Sequence, residues 1–160
     1  MPSDEQLLMH GTAVALGRSA ALIRGPSGAG KSDLALRFLL AAASGDDRRP
    51  PRLLVSDDQV VLRRVGPSIV VSAPAAIRGL LEVRGIGIVE IASIATAELQ
   101  LVVDCCPPET IERMPEPATV ALLGIGVRQV RLAPFEPSAA YKLLMLLEND
   151  RLLRSRPGTA

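Results

Sequence analysis

Residues 25–32 read GPSGAGKS, between an apolar run that ends at Arg24 and a breaker-free, helix-forming run that starts at Asp33. Gly25, Gly30, Lys31 and Ser32 fall at the spacing G-x-x-x-x-G-K-[ST], with Pro26, Ser27, Gly28 and Ala29 between them. The pattern has a physical basis. Glycines reach backbone dihedrals that turn successive N–H groups toward one point, where an anion can sit. A helix that begins at the same place directs its positive end at that anion. At this spacing Lys31 reaches the outer phosphates of a nucleotide and the Ser32 hydroxyl ligates Mg²⁺. The expected context is therefore strand, loop, helix, and the expected cofactors are ATP and Mg²⁺.

The flanks agree with that context. Residues 12–16 and 20–24 are apolar runs around a Gly-Arg turn and read as a hairpin or two successive strands. Residues 33–43 (DLALRFLLAAA) favour a helix, and the polar, Pro-rich stretch 44–52 ends it. Further strands are expected at 53–56, 60–65, 68–72, 80–83, 86–91, 99–104, 119–123 and 127–132, with a Pro-rich connection at 105–117. A closing helix is expected over 137–153, with Tyr141, Leu143, Leu144 and Leu147 on one buried face. The regular alternation of strand and helix stops after residue 58, which argues against an ordinary doubly wound domain. The reading is a single α/β domain over 1–160 with a mixed β-sheet.

A phosphate loop needs an acidic partner, usually at the end of an apolar strand. Two stretches qualify: LLVSDD, ending at Asp57 and Asp58, and LQLVVD, ending at Asp104. The paired carboxylates differ from the single one, because neighbouring side chains at a strand end diverge. One can face a metal while the other takes the proton of an acceptor hydroxyl. Spacing alone leaves both stretches open.

The chain has 18 Lys and Arg against 17 Asp and Glu, and a net charge of +1. That balance, with aromatics at 2 %, offers no footprint for nucleic acid. No apolar run is long enough to span a membrane. The adjacent Cys105 and Cys106 match no zinc spacing, and a reducing, cytoplasmic setting is expected. Neither a guanine-specificity motif nor an Arg-rich lid is visible.

Three ordered stretches, GPSGAGKSDLAL, LLVSDDQV and LEVRGIGIVEI, resemble the catalytic domain of bacterial HPr kinase/phosphorylase. The third is similar to that family's signature E-[IV]-R-G-[LI]-G. The resemblance runs from about Met9 to about Arg113 and implies a P-loop fold related to phosphoenolpyruvate carboxykinase. It implies a protein kinase that uses ATP and Mg²⁺ to phosphorylate a serine of HPr, the small phosphocarrier of the sugar phosphotransferase system, and it carries an expectation of a hexamer. By the same resemblance Asp58 is the proton acceptor with Asp57 beside it, Ser32 and Glu82 are the Mg²⁺ ligands, and Lys31 with the loop glycines holds the phosphates. His10 falls at the family's upstream active-site histidine, Arg113 at its active-site arginine, and Arg84 supports the nucleotide site.

Two departures shape the expectation. The chain begins at the catalytic part, as in a truncated form found in some proteobacteria. The family's late arginine-rich segment, tied to phosphate removal, corresponds here to APFEPSAAYK, residues 133–142. Its arginines and asparagine are missing, so phosphorolysis is expected to be weak or lost. The alternatives are a non-catalytic ATP sensor, or a kinase for another acceptor on the same fold.

Overall fold

The apolar runs on either side of Gly17-Arg18 pair with each other in antiparallel register, Thr12 opposite Ile23 and Leu16 opposite Ser19. Gly17 turns the chain with φ 61°. Every residue of the first run is buried, so both faces of this hairpin are covered. The computed structural model describes residues 5–41 and 49–154. Its elements in chain order are β1 (Gln6–His10), β2 (Thr12–Leu16), β3 (Ser19–Arg24), α1 (Lys31–Leu40), β4 (Arg52–Ser56), β5 (Gln59–Val65) and β6 (Ser68–Ser72). They continue with β7 (Leu80–Val83), β8 (Gly87–Glu90), β9 (Thr96–Cys105), β10 (Ala118–Leu122), β11 (Ile125–Leu132) and α2 (Ala139–Arg154).

The main sheet is mixed and runs β1-β5-β6-β9-β3-β2-β4. Its hub is β9. Along one edge it pairs in parallel with β3 from Glu98 to Asp104. Along the other it pairs first with β6, antiparallel, and then with β11, parallel, from Leu101 to Cys105. A 10-residue strand is long enough to serve both neighbours. β10 adds to β11, while β7 and β8 form a separate two-stranded sheet.

Alternate residues of the central strands feed two cores. Val14, Leu16, Ala21, Ile23, Leu101 and Val103 face the helices, and Leu81 of the small sheet joins them. Ala13, Ala15, Ala20, Leu22 and Val102 face the other way and meet Val60, Leu62, Ile69, Val71, Leu122 and Val127. Among the described residues no helix covers this second core; the sheet curls over it. In α1 the buried stripe is Leu34, Ala35, Phe38 and Leu39. Phe38 is fully buried, and its truncation to Ala would cost about 3–5 kcal/mol.

Three expectations need adjustment. The N-terminal residues 6–10 form an edge strand on β5, with His10 opposite Gln59. Their exposed, mixed side chains carry little alternation, so only pairing reveals them. In α2, Leu143, Leu144 and Leu147 are buried with Ala139 and Ala140, but Tyr141 is 62 % exposed. At 3.6 residues per turn it lies roughly 130° from the centre of that stripe. Finally, α1 begins at Lys31, two residues before its expected start, and Arg52 belongs to β4. The rest of the expected loop up to residue 48, with residues 42 and 43, falls outside the described residues.

Candidate active site

The geometry follows from strand direction. β3 and β4 are both antiparallel to β2, and β9 and β11 are parallel to β3. The carboxyl ends of all four strands therefore lie along one edge, where open α/β sheets place their ligands. The loop leaves β3 at that edge. Gly25, Gly28 and Gly30 have φ of 158°, 80° and 100°. Gly30 also serves as the N-cap of α1 and makes no side-chain cap bond. The first amides of α1 have no intrahelical acceptor, so they are left for an anion. Lys31 is buried because its ammonium donates to the carbonyls of Gly25 and Pro26, at 2.7 and 2.9 Å. An ammonium has three donors, and the third remains for a phosphate oxygen.

Asp57 sits past the end of β4 and is 6 % exposed. Its Oδ1 accepts from Ser32 Oγ at 2.7 Å and from Thr12 Oγ1 at 2.9 Å. Its Oδ2 accepts from the main-chain N–H of Glu82 at 3.1 Å. One buried carboxylate thus joins the first turn of α1 after the glycine-rich loop, the start of β2 and the small sheet. Asp58 takes the opposite course. Its φ is 71°, its side chain is 71 % exposed, and its Oδ1 lies 3.4 Å from His10 Nδ1. The Gly11 amide donates to the Asp58 carbonyl at 3.0 Å, which ties the end of β1 to this corner.

Asp104, the rival acid, is committed elsewhere. It lies opposite Arg24 in the parallel register and accepts Arg24 Nε at 2.9 Å and Nη2 at 3.1 Å. Gln129 Nε2 also donates to it. Burial works to raise its carboxyl, but the bonds from Arg24 and Gln129 and the charges of Arg24 and Arg131 prevail and hold it below the ordinary value. Of the two stretches left open by spacing, LLVSDD is the one that touches Ser32.

The other candidates are placed unevenly. The Glu82 side chain is exposed at the end of β7, and Arg84 and Gly85 form the turn into β8, with Gly85 at φ 85° and Gly87 at 119°. Asp33 bonds Arg37 Nε at 3.0 Å rather than pointing into the loop. Arg113 is exposed beyond the turn Pro108–Thr110, and among the described residues no hydrogen bond or ion pair ties it to the rest. Sequence reasoning missed Thr12, although a hydroxyl opening a wholly apolar strand was a usable signal. It also missed Phe135, which rests on Gly30: a Cβ there would meet the ring at 2.9 Å. Cys105 packs beside Gly25, and burial pushes its thiol up to about 11, against the opposing charge of Lys31.

The donor set fits a nucleoside triphosphate with a hard cation. Uncapped helix amides and an ammonium suit phosphate, while Ser32 Oγ and Asp57 offer oxygen. Among the described residues no group of three or more His, Cys, Asp or Glu gathers to cage a metal. Bound beside these donors, Mg²⁺ would keep water and phosphate oxygens in its shell. Among the described residues no helix is long and apolar enough to cross a membrane.

The family model described as HPr Serine kinase C-terminal domain matches residues 3–133. An HPr kinase/phosphorylase of Polaromonas sp. is 37 % identical over 135 residues, covering 76 % of this chain and 40 % of its own length. That of Bordetella pertussis is 32 % identical over 152 residues, covering 88 % and 46 %. The chain thus spans less than half the length of these relatives. A solved structure of the Hpr(Ser) kinase/phosphatase from Coxiella burnetii superposes with a TM-score of 0.76, covering 94 % of this chain and 99 % of that one, at 23 % identity. The likeness is one of fold, and the expected α/β architecture with a mixed sheet is the one found.

Proposed function

This chain belongs to the HPr serine kinase C-terminal domain family, and on that premise we propose that it is an ATP- and Mg²⁺-dependent protein kinase that phosphorylates a serine of HPr or an HPr-like phosphocarrier in the cytoplasm. The observation that carries the reading is the contact of Ser32 Oγ with Asp57, at 2.7 Å, beside an exposed Asp58 that borders His10. A phosphate-binding loop, a buried carboxylate and an accessible carboxylate meet at one corner of the sheet.

Each residue then has a physical task. The loop amides and Lys31 hold the phosphates and offset charge on the oxygens of the transferred group. Asp57 is fixed by Thr12 and the Glu82 amide and holds Ser32, and these two side chains would be the ligands for a bound Mg²⁺. Glu82 would add its exposed carboxylate to the ligands of that cation, and Arg84 and Arg113 would supply exposed cationic forks for phosphate oxygens. Bound MgATP supplies the transferable phosphoryl group and the neutralising charge. Asp58 is open to solvent, so an incoming hydroxyl can reach it and give up its proton there. His10, within 3.4 Å, steadies that carboxylate.

Residues 133–142 offer Lys142 as their one cation, and its ammonium pairs with Glu136 at 2.9 Å. With no arginine fork there, phosphorolysis is weak or lost in this reading. Transfer of labelled phosphate from ATP to a serine of purified HPr tests the proposal. ATP binding without transfer to HPr favours a sensor, and transfer to another acceptor moves the substrate assignment. Fast pyrophosphate release from phosphorylated HPr and inorganic phosphate would refute the loss of phosphorolysis.

A further inference from the structure

On the flank of the loop opposite Asp57 and Asp58 lies a cleft of about 610 Å³, at the carboxyl ends of β9 and β11. Pro26 and Ala29 of the loop form one wall, so the cleft is continuous with the phosphate-binding site. The volume suits a small-molecule site. We propose that this cleft receives the purine base of the nucleotide whose phosphates occupy residues 25–32, with Phe135 as its stacking platform. The inference rests on the phosphate-loop reading above and deepens it.

Three observations carry it. The first is direction. The carboxylates mark one flank of the loop as the side of the transferred phosphate, so the nucleoside end of a triphosphate laid along the strand ends faces the other flank. The second is Phe135. The chain has only three aromatic residues, one Tyr and two Phe. Phe38 fills the core, whereas Phe135 is 69 % exposed, with its ring against Gly30. Packing gives no reason to leave it in water at the edge of the loop. The third is support. Arg37 of α1 donates to the carbonyls of Pro134 and Glu136, on both sides of Phe135, while its Nε bonds Asp33 at 3.0 Å. The segment that carries the ring is thereby fixed to the helix that follows the loop.

The lining also dictates the kind of recognition. Five of its eleven residues are prolines, Pro26, Pro107, Pro108, Pro134 and Pro137, which have no N–H to offer a base edge. The Cys106 and Glu136 amides already donate to Leu132 and Ala133, at 2.9 and 3.1 Å. The Glu136 carboxylate pairs with Lys142. With few N–H donors in this lining, stacking outweighs edge hydrogen bonding to the base, so ATP and GTP should bind with similar affinity.

The test compares ATP, GTP and inorganic tripolyphosphate by calorimetric titration with Mg²⁺ on the 160-residue chain and on Phe135→Ala and Phe135→Trp. Tripolyphosphate reports the loop without a base. The expected result is ATP and GTP affinities within about threefold of each other, both weakened about tenfold by Phe135→Ala and restored by Phe135→Trp, with tripolyphosphate unchanged. Nucleotide affinities that ignore Phe135→Ala overturn the proposal. Equal weakening of tripolyphosphate does so too, because the ring would then act on the loop. A more than tenfold preference between ATP and GTP overturns the selectivity claim. Failure of the unmodified chain to bind tripolyphosphate overturns the phosphate-loop reading itself, and this inference with it.

Discussion

Ser32 Oγ donates to Asp57 Oδ1 across 2.7 Å, joining the first turn of α1 to the end of β4, 25 residues further along the chain. The bond crosses the strand β2, whose first residue, Thr12, donates to the same oxygen. A carboxylate at 6 % exposure is tolerated there because three donors from three separate elements satisfy its oxygens. The corner where phosphate, cation and acceptor would meet is thus assembled from residues distant in sequence.

Thr12→Val removes one of those donors while keeping the shape of the side chain. Loss of a bond to a buried carboxylate should lower stability by about 1–3 kcal/mol, read from urea unfolding. In the kinase reading it should also raise the Mg²⁺ concentration needed for half-maximal transfer. Unchanged stability would show that Asp57 does not depend on Thr12.

Asp58→Asn and Lys31→Ala should separate chemistry from binding. Asp58→Asn should keep ATP affinity and lower transfer by about 10²–10⁴-fold, the usual range for a lost proton acceptor. Lys31→Ala should lower both affinity and turnover. Normal transfer by Asp58→Asn would remove Asp58 as the base.

The Arg24–Asp104 pair gives stability a dependence on acid pH. Asp104 is held below its ordinary value in the folded chain, so the unfolded chain binds its proton first as pH falls. Its contribution is therefore fully present above about pH 4 and is lost as pH falls through the lower, folded value. Asp104→Asn should lower the melting temperature at pH 7 and flatten the decline below pH 4. An unchanged acid limb would place that dependence elsewhere.

Cys105 should be a slow nucleophile. A rise from 9.0 to about 11 lowers its thiolate fraction at neutral pH about a hundredfold. Alkylation with iodoacetamide, located by peptide mass, should leave Cys105 largely unmodified at pH 7 and label it as pH rises toward 11. Rapid labelling at pH 7 would contradict the buried environment beside Gly25.

Much of this fold was readable residue by residue. The runs 12–16 and 68–72 are strands with the expected ends, and 80–83 is as well. Each alternates or stays apolar between turn residues, so local pattern and tertiary role coincide. The strand Gln6–His10 escaped notice because an exposed edge strand owes its form to backbone bonds with β5, which leave no mark on side-chain type. Tyr141 departs from the expected buried face because its position around the helix takes the ring off the stripe of Leu143, Leu144 and Leu147.

By itself the sequence determined the glycine-rich loop and its helix, because glycine dihedrals, a lysine and a hydroxyl act within eight consecutive residues. It determined equally that an acid must follow a strand. Which acid was left open by spacing; the family resemblance pointed to Asp57 and Asp58, and tertiary structure supplies the physical reason. Asp104 lies at the end of the strand next to β3 and is taken by Arg24 in register, whereas Asp57, two strands away on the other side, is turned onto Ser32. Hydrogen bonds depend on distance through space, and strand order sets that distance without leaving a local pattern in the chain.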